Sequence, residues 1–187
     1  MQTDAMNAGV APGGLKSRIE IRVLICYILV NSDLPVPLEA VKEQLHFRGI
    51  ANYFETAYAI ADLTDNGTIT ENINDSGIKL YSPTDEAKKV AGALSASLPF
   101  SVKEKALAIA RGAVDRLRYE RENKVLVEKA ENGFYVTCSV MEKDIEVVSI
   151  KLLVPDDETA GTVKDNFLSD PVETLVNATA ALTGSQI

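Results

Sequence analysis

The segment from Ile50 to Tyr81 constrains the fold more than any other. Ile50 to Asn66 reads as one helix. Its apolar residues, Ile50, Tyr53, Phe54, Ala57, Ile60, Ala61 and Leu63, recur at helical spacing and predict a single buried stripe. Asn66-Gly67 then stops the helix, because glycine enters the left-handed region at little steric cost. Thr68 to Ile73 is β-type, Asn74-Asp-Ser-Gly77 is turn chemistry, and Ile78 to Tyr81 returns as a second strand. A helix stopped sharply in front of a tight hairpin leaves few architectures open.

The flanking segments extend the pattern. Met1 to Gly14 is small and polar, ends in Pro-Gly-Gly and is expected to be a flexible tail. Leu15 to Val30 reads as a first helix that is apolar nearly all round, which predicts burial on two sides, by a partner subunit or by a later domain. A second, shorter helix enters at Pro37-Leu38 and ends at Phe47-Arg-Gly49. Thr84 caps a fourth helix that Pro99 breaks, and Ser101 to Asn123 is a fifth, with Glu104 at capping-box spacing from Ser101. The period then changes. Lys124–Glu128, Gly133–Met141 and Ile145–Val154 read as a three-stranded antiparallel meander, with Thr159–Leu168 and Pro171–Leu182 as the helices that cover one face. Residues beyond Thr183 are expected to fray.

The fold class is therefore α+β. A helix-turn-helix domain with a hairpin wing spans 15–99, a connector helix 100–123 and a small α+β domain 124–187. Cys26 and Cys138 both lie in apolar runs and read as reduced core thiols, so the expected compartment is the cytoplasm. No secretory leader is legible, and the apolar run Ile19–Val30 is too short and too charged to span a bilayer.

Charge bears on function. The net charge is −8, which argues against bulk electrostatic binding to nucleic acid or anionic lipid. Only residues 100–123 are net basic, with six cations against four anions. There Arg111, Arg118 and Arg121 share a side of the helix, as a phosphate-contacting or dimer-facing stripe or as ordinary partners of Asp115, Glu120 and Glu122. On the third helix the face opposite the aromatics would expose Asn52, Glu55, Thr56, Ala59 and Asp62, without lysine or arginine. Arg48, Asn52, Thr56 and Lys79 are the residues best placed by sequence to meet phosphates or base edges. His46, the sole histidine, reads as a surface residue. No zinc motif, phosphate loop or Ser-His-Asp set is present, so no metal, cofactor or catalytic residue is expected.

Ala59-Ile-Ala-Asp-Leu-Thr-Asp-Asn-Gly-Thr-Ile-Thr70 and Lys79-Leu-Tyr-Ser-Pro-Thr84 resemble the helix-to-wing signature of bacterial winged-helix regulators of the MarR and PadR groups. With Ile25-Cys-Tyr-Ile-Leu29, Pro37-Leu38, Asn52-Tyr-Phe54 and the C-terminal meander, the chain resembles an uncharacterised bacterial domain-of-unknown-function family of winged-helix regulators over roughly Ile19 to Phe167. The resemblance implies a cytoplasmic homodimer that binds double-stranded DNA, is not an enzyme, and responds to a small-molecule or protein effector. The alternative is a winged helix used as a protein-interaction module. The lack of cations on the third helix motivates it.

Overall fold

The structure is a computed structural model that describes residues 8–184. The chain divides into two units, residues 1–114 and 115–187. Each is mixed or wholly built of elements the local sequence favours. Among the described residues there are seven α-helices, a two-stranded sheet and a three-stranded antiparallel sheet.

In the first unit α1 (Arg18–Val30) is the hub. It buries Ile21, Val23, Leu24, Ile25, Cys26, Ile28 and Leu29, and it packs against α3 (Tyr53–Asp65), α4 (Asp85–Leu94) and the hairpin strand β2 (Lys79–Pro83). No second subunit is needed to bury it. The expected second surface, a partner subunit or a later domain, is corrected: these neighbours within the unit bury the helix. α2 (Leu38–Phe47) contributes Leu38, Val41 and Leu45 to the same core. β1 (Ile69–Ile73) pairs antiparallel with β2, Glu71 opposite Tyr81. Asn74 closes the hairpin by accepting from the Ser76 and Ile78 amides at 3.0 and 2.8 Å. Val36 bridges to Tyr81, with N–H to O distances of 2.9 Å in both directions, and so ties the α1–α2 connector to the sheet.

Two expectations shift here. Residues 8–14 are not loose: the Ala11 amide donates to Gly49 O and the Leu15 amide to Ile50 O, both at 2.8 Å. Gly49, at φ +65°, permits that approach, since a Cβ there would lie 2.7 Å from the Ala11 Cβ. The rest of the expected tail, Met1 to Asn7, and the expected frayed end, Ser185 to Ile187, lie outside the described residues. The long helix α5 (Phe100–Glu122) is also more than a connector. Val102, Ala106, Ile109 and Ala110 of its first half belong to the first core, and the unit boundary falls inside it.

The second unit is the predicted meander, in the order β3 (Lys124–Ala130), β4 (Gly133–Glu142), β5 (Ile145–Val154). Gly133 lets the start of β4 lie close against the end of β5, because a Cβ there would sit 2.0 Å from Val154 O. Val136, Cys138, Val140 and Val154 pack against Ala160, Phe167 and Leu168 of α6 (Asp157–Ser169). α7 (Pro171–Thr183) was expected to share that cover. It buries only Pro171.

Candidate recognition surface

The turn between α2 and α3 is set by Asn52. Its side-chain oxygen accepts from the Phe54 and Glu55 amides at 2.9 and 3.2 Å, the geometry of a helix N-cap. Its amide nitrogen donates to Ala8 O at 2.7 Å. The helix therefore begins at Tyr53, not at Ile50. Thr56 donates its hydroxyl to Asn52 O at 2.8 Å and is buried too. Both residues were expected on the outer face, and both are corrected to structural roles inside it.

The physical reason lies on α1. Arg18 and Arg22 stand four residues apart on that helix, so they share a face. Arg18 grips Glu55 through two hydrogen bonds, 2.7 Å from Nε and 3.1 Å from Nη2, and Arg22 reaches Asp62 at 3.1 Å. The fork geometry of the first pair satisfies a buried carboxylate that would otherwise be costly to desolvate. These contacts turn Glu55, Thr56, Ala59, Ile60 and Leu63 toward the core. The aromatic residues go the other way. Phe54 is 67% exposed, Tyr58 56%, and Phe47 at the end of α2 84%. The expected inward stripe holds at Ile50, Ile60 and Leu63 and fails at Phe54 and Ala61, which are exposed; Tyr53 and Ala57 are half-buried, and Glu55 and Asp62 are not free acids on an outer face.

The outcome is an aromatic surface. Tyr53 sits edge-on to both Phe54 and His46, with ring centroids 5.5 and 6.1 Å apart. Lys42 lies 4.5 Å above the Tyr53 ring and pairs with Glu39. Burial pulls the Lys42 pKa down, but Glu39 and Tyr53 outweigh it and the net shift is upward. The Arg18 guanidinium also lies 5.5 Å from the Tyr58 ring. Glu43, Gln44, His46, Phe47 and Tyr53 line an open groove of about 630 Å³ beside α2.

The remaining sequence-chosen residues are dispersed. Arg48 caps the C-terminal end of α2, is exposed, and makes no ion pair among the described residues. Lys79 is exposed on β2, where Glu71 takes its ammonium at 3.0 Å. Glu71 also accepts the Tyr81 hydroxyl at 2.9 Å, and Lys79 first, then Tyr81, hold its carboxyl below the usual range. Burial, then Glu71, pushes the Tyr81 phenol up. The arginine stripe is partly neutralised. Arg118 pairs with Asp115 at 3.0 Å and stacks 5.0 Å from Tyr119, and Arg121 pairs with Glu122 at 3.2 Å. Arg111 is exposed without an ion pair among the described residues. No group of three or more His, Cys, Asp or Glu among the described residues is placed to hold a metal ion. No helix among them is long and apolar enough to cross a membrane.

Phe47 and Phe54 are the residues that sequence reasoning missed, while Tyr58, read as half exposed and available to a partner, is exposed as expected. The signal was present as the four-residue spacing of Arg18 and Arg22 against the seven-residue spacing of Glu55 and Asp62.

The class is thus a two-unit α+β protein whose first unit shows an aromatic helix face. The chain matches the family described as a domain of unknown function (DUF4364) over residues 21–182, and it belongs to that family. Neither the curated proteins nor the solved structures contain a match.

Proposed function

We propose that residues 15–99 form a winged helix, with β1–β2 as the wing, and that this domain recognises a protein partner through the aromatic face of α3 and the end of α2. The element order supports the first part: three helices, the third stopped by Gly67 at φ +74° directly before a hairpin, then a fourth helix. One observation carries the second part. Phe47, Phe54 and Tyr58 project outward on a surface where α3 itself has no cation. Aromatic side chains are the commonest anchors of protein interfaces, and a phosphate backbone is bound chiefly through lysine and arginine.

The test is a photoreactive residue in place of Tyr58 in the full chain, irradiated in cells of the source organism. A discrete protein adduct that vanishes in the Phe47→Ala, Phe54→Ala background is the expected result. A nucleic-acid adduct, or an adduct indifferent to those two changes, would overturn the reading.

A second reading has its own support. As a dimeric transcriptional regulator the same domain would meet double-stranded DNA. Arg18 and Arg22 already neutralise Glu55 and Asp62, and Arg48 is free to take a phosphate. Retention of mixed genomic DNA that falls steeply with salt, and that Arg48→Ala weakens, is what this reading requires. Lys79→Ala would weaken it less, because Glu71 holds that ammonium.

A further inference from the structure

β3 is an open edge of the second sheet. The strand order is β3-β4-β5, and among the described residues no strand lies on the far side of β3. The ladder fixes which of its backbone groups face outward. Glu131 and Asn132 form a two-residue loop closed by Ala130 and Gly133, and Asn123, just before β3, accepts the Met141 amide at 3.1 Å. Both ends turn the odd-numbered residues of β4 toward β3. Lys124, Leu126 and Glu128 therefore bond to Ser139, Thr137 and Tyr135, and Val125, Val127 and Lys129 aim their amides and carbonyls at the open edge. The side chains there are exposed too, Leu126 by 54% and Val127 by 40%. Lys124 is exposed and makes no ion pair among the described residues.

We propose that β3 pairs with β3 of a second copy of the chain, antiparallel about a two-fold axis through Leu126, so that two three-stranded sheets join into one. The edge itself selects a second copy, because its charges are complementary only to their own reversal. Lys124 stands two residues before Leu126 and Glu128 two residues after it, with Val125 and Val127 between. Laid antiparallel on itself, the strand sets Lys124 opposite Glu128, Val125 opposite Val127 and Leu126 opposite Leu126. The outward backbone groups of Val125 and Val127 then face one another and exchange hydrogen bonds. Other registers lose the match. An axis at Val127 sets Glu128 against Leu126 and Lys129 against Val125, and an axis at Val125 sets Lys124 against Leu126. The other edge, β5, fails the same test. Its opposite charges, Glu146 and Lys151, meet only in a register that puts the outward groups of Ser149 against Val148, whose groups bond to β4. Glu128 already meets Lys151 of its own chain at 3.2 Å, but both stay half exposed, which leaves the carboxylate room for a second ammonium. The proposal does not rest on what α3 recognises.

The experiment is the solution mass of the full chain by sedimentation equilibrium across a concentration series. The wild type is expected to pass from 20.2 kDa toward twice that value. Val127→Pro is expected to stay at 20.2 kDa, because the amide it loses faces the open edge and carries no bond within the sheet. Lys124→Glu and Glu128→Lys each place like charges opposite one another at two symmetric contacts and weaken the dimer about tenfold. An equal mixture of these two variants recovers the wild-type affinity, since the hybrid again pairs opposite charges at both contacts. Should Val127→Pro lose its fold, the mixture decides. A wild type that stays monomeric throughout, a dimer that a folded Val127→Pro leaves intact, or a mixture no tighter than either variant alone would overturn the interface.

Discussion

α1 and α7 are apolar helices of equal length with opposite fates. Each is 13 residues long, each is dominated by aliphatic side chains, and periodicity alone assigns both to a core. α1 buries seven of its residues. α7 buries one. What differs is the polar minority. α1 carries Arg18, Arg22 and Glu20, of which Glu20 takes the Ser17 amide at 3.3 Å and the arginines hold α3. α7 carries Glu173 as its one charged side chain, beside the uncharged Thr174, Asn177, Thr179 and Thr183. Apolar content creates the drive to be buried, but the orienting contacts choose the partner. In α1 those contacts lie within the chain.

The comparison breaks most cleanly at the two helices themselves. Leu24 is fully buried, so Leu24→Ala leaves a cavity and is expected to lower the unfolding free energy by about 2–5 kcal/mol. Val176→Ala removes surface that the single chain already exposes, and it is expected to stay within about 0.5 kcal/mol of the wild type. Chemical unfolding of the two variants measures both costs. Equal costs for the two substitutions would remove the distinction drawn between the helices.

The two cysteines give a smaller but independent contrast. Cys26 lies in the middle of α1, and burial raises its thiol from the ordinary 9.0 to about 11. Burial raises Cys138 in β4 as well. Both groups are protonated in the folded chain at a pH where the unfolded chain has lost the proton. Stability contributed this way is complete below pH 9 and falls as pH rises through about 11. Cys26→Ala is expected to flatten the alkaline limb of the stability curve at the cost of a small cavity. Thiol labelling at neutral pH sharpens the point: neither cysteine reacts quickly while folded, and Cys138 becomes reactive before Cys26, because its unit holds the smaller core.

Much of this was legible from residues. The stop at Asn66-Gly67, the Asn74–Gly77 turn and the three strands after Lys124 are local signals, and they fall where the chain chemistry puts them, whereas α4 ends at Leu94, before the expected break at Pro99. The face of α3 was not. Two stripes fit its spacing, one through Tyr53, Phe54 and Ala57, the other through Glu55, Thr56 and Ala59. The choice rests on an arginine 37 residues away on another helix. The seating of residues 8–14 was hidden for a related reason. It depends on backbone hydrogen bonds to Gly49 and Ile50, which leave no side-chain pattern. The aromatic site was therefore visible as residues and invisible as a surface until α1 was placed.

The hairpin is where the smallest effect is expected, and it tests whether an exposed contact behaves like the outer side of α7 or like the ladder on α1. Glu71 is partly exposed and meets Lys79 and Tyr81. Its lowered pKa means that the folded chain holds the charged carboxylate more firmly than the unfolded chain does. The stability this supplies is present above the ordinary glutamate range and is lost as pH falls through the folded pKa. Glu71→Gln should accordingly depress the melting temperature slightly at neutral pH, and the gap to the wild type should close on acidification, since protonated Glu71 resembles glutamine. Solvent screening keeps surface pairs weak, so the neutral gap stays far below the effect of Leu24→Ala. A gap that persists or widens at low pH would mean that Glu71 acts through packing rather than charge, and the hairpin would then belong with α1 as a part of the core.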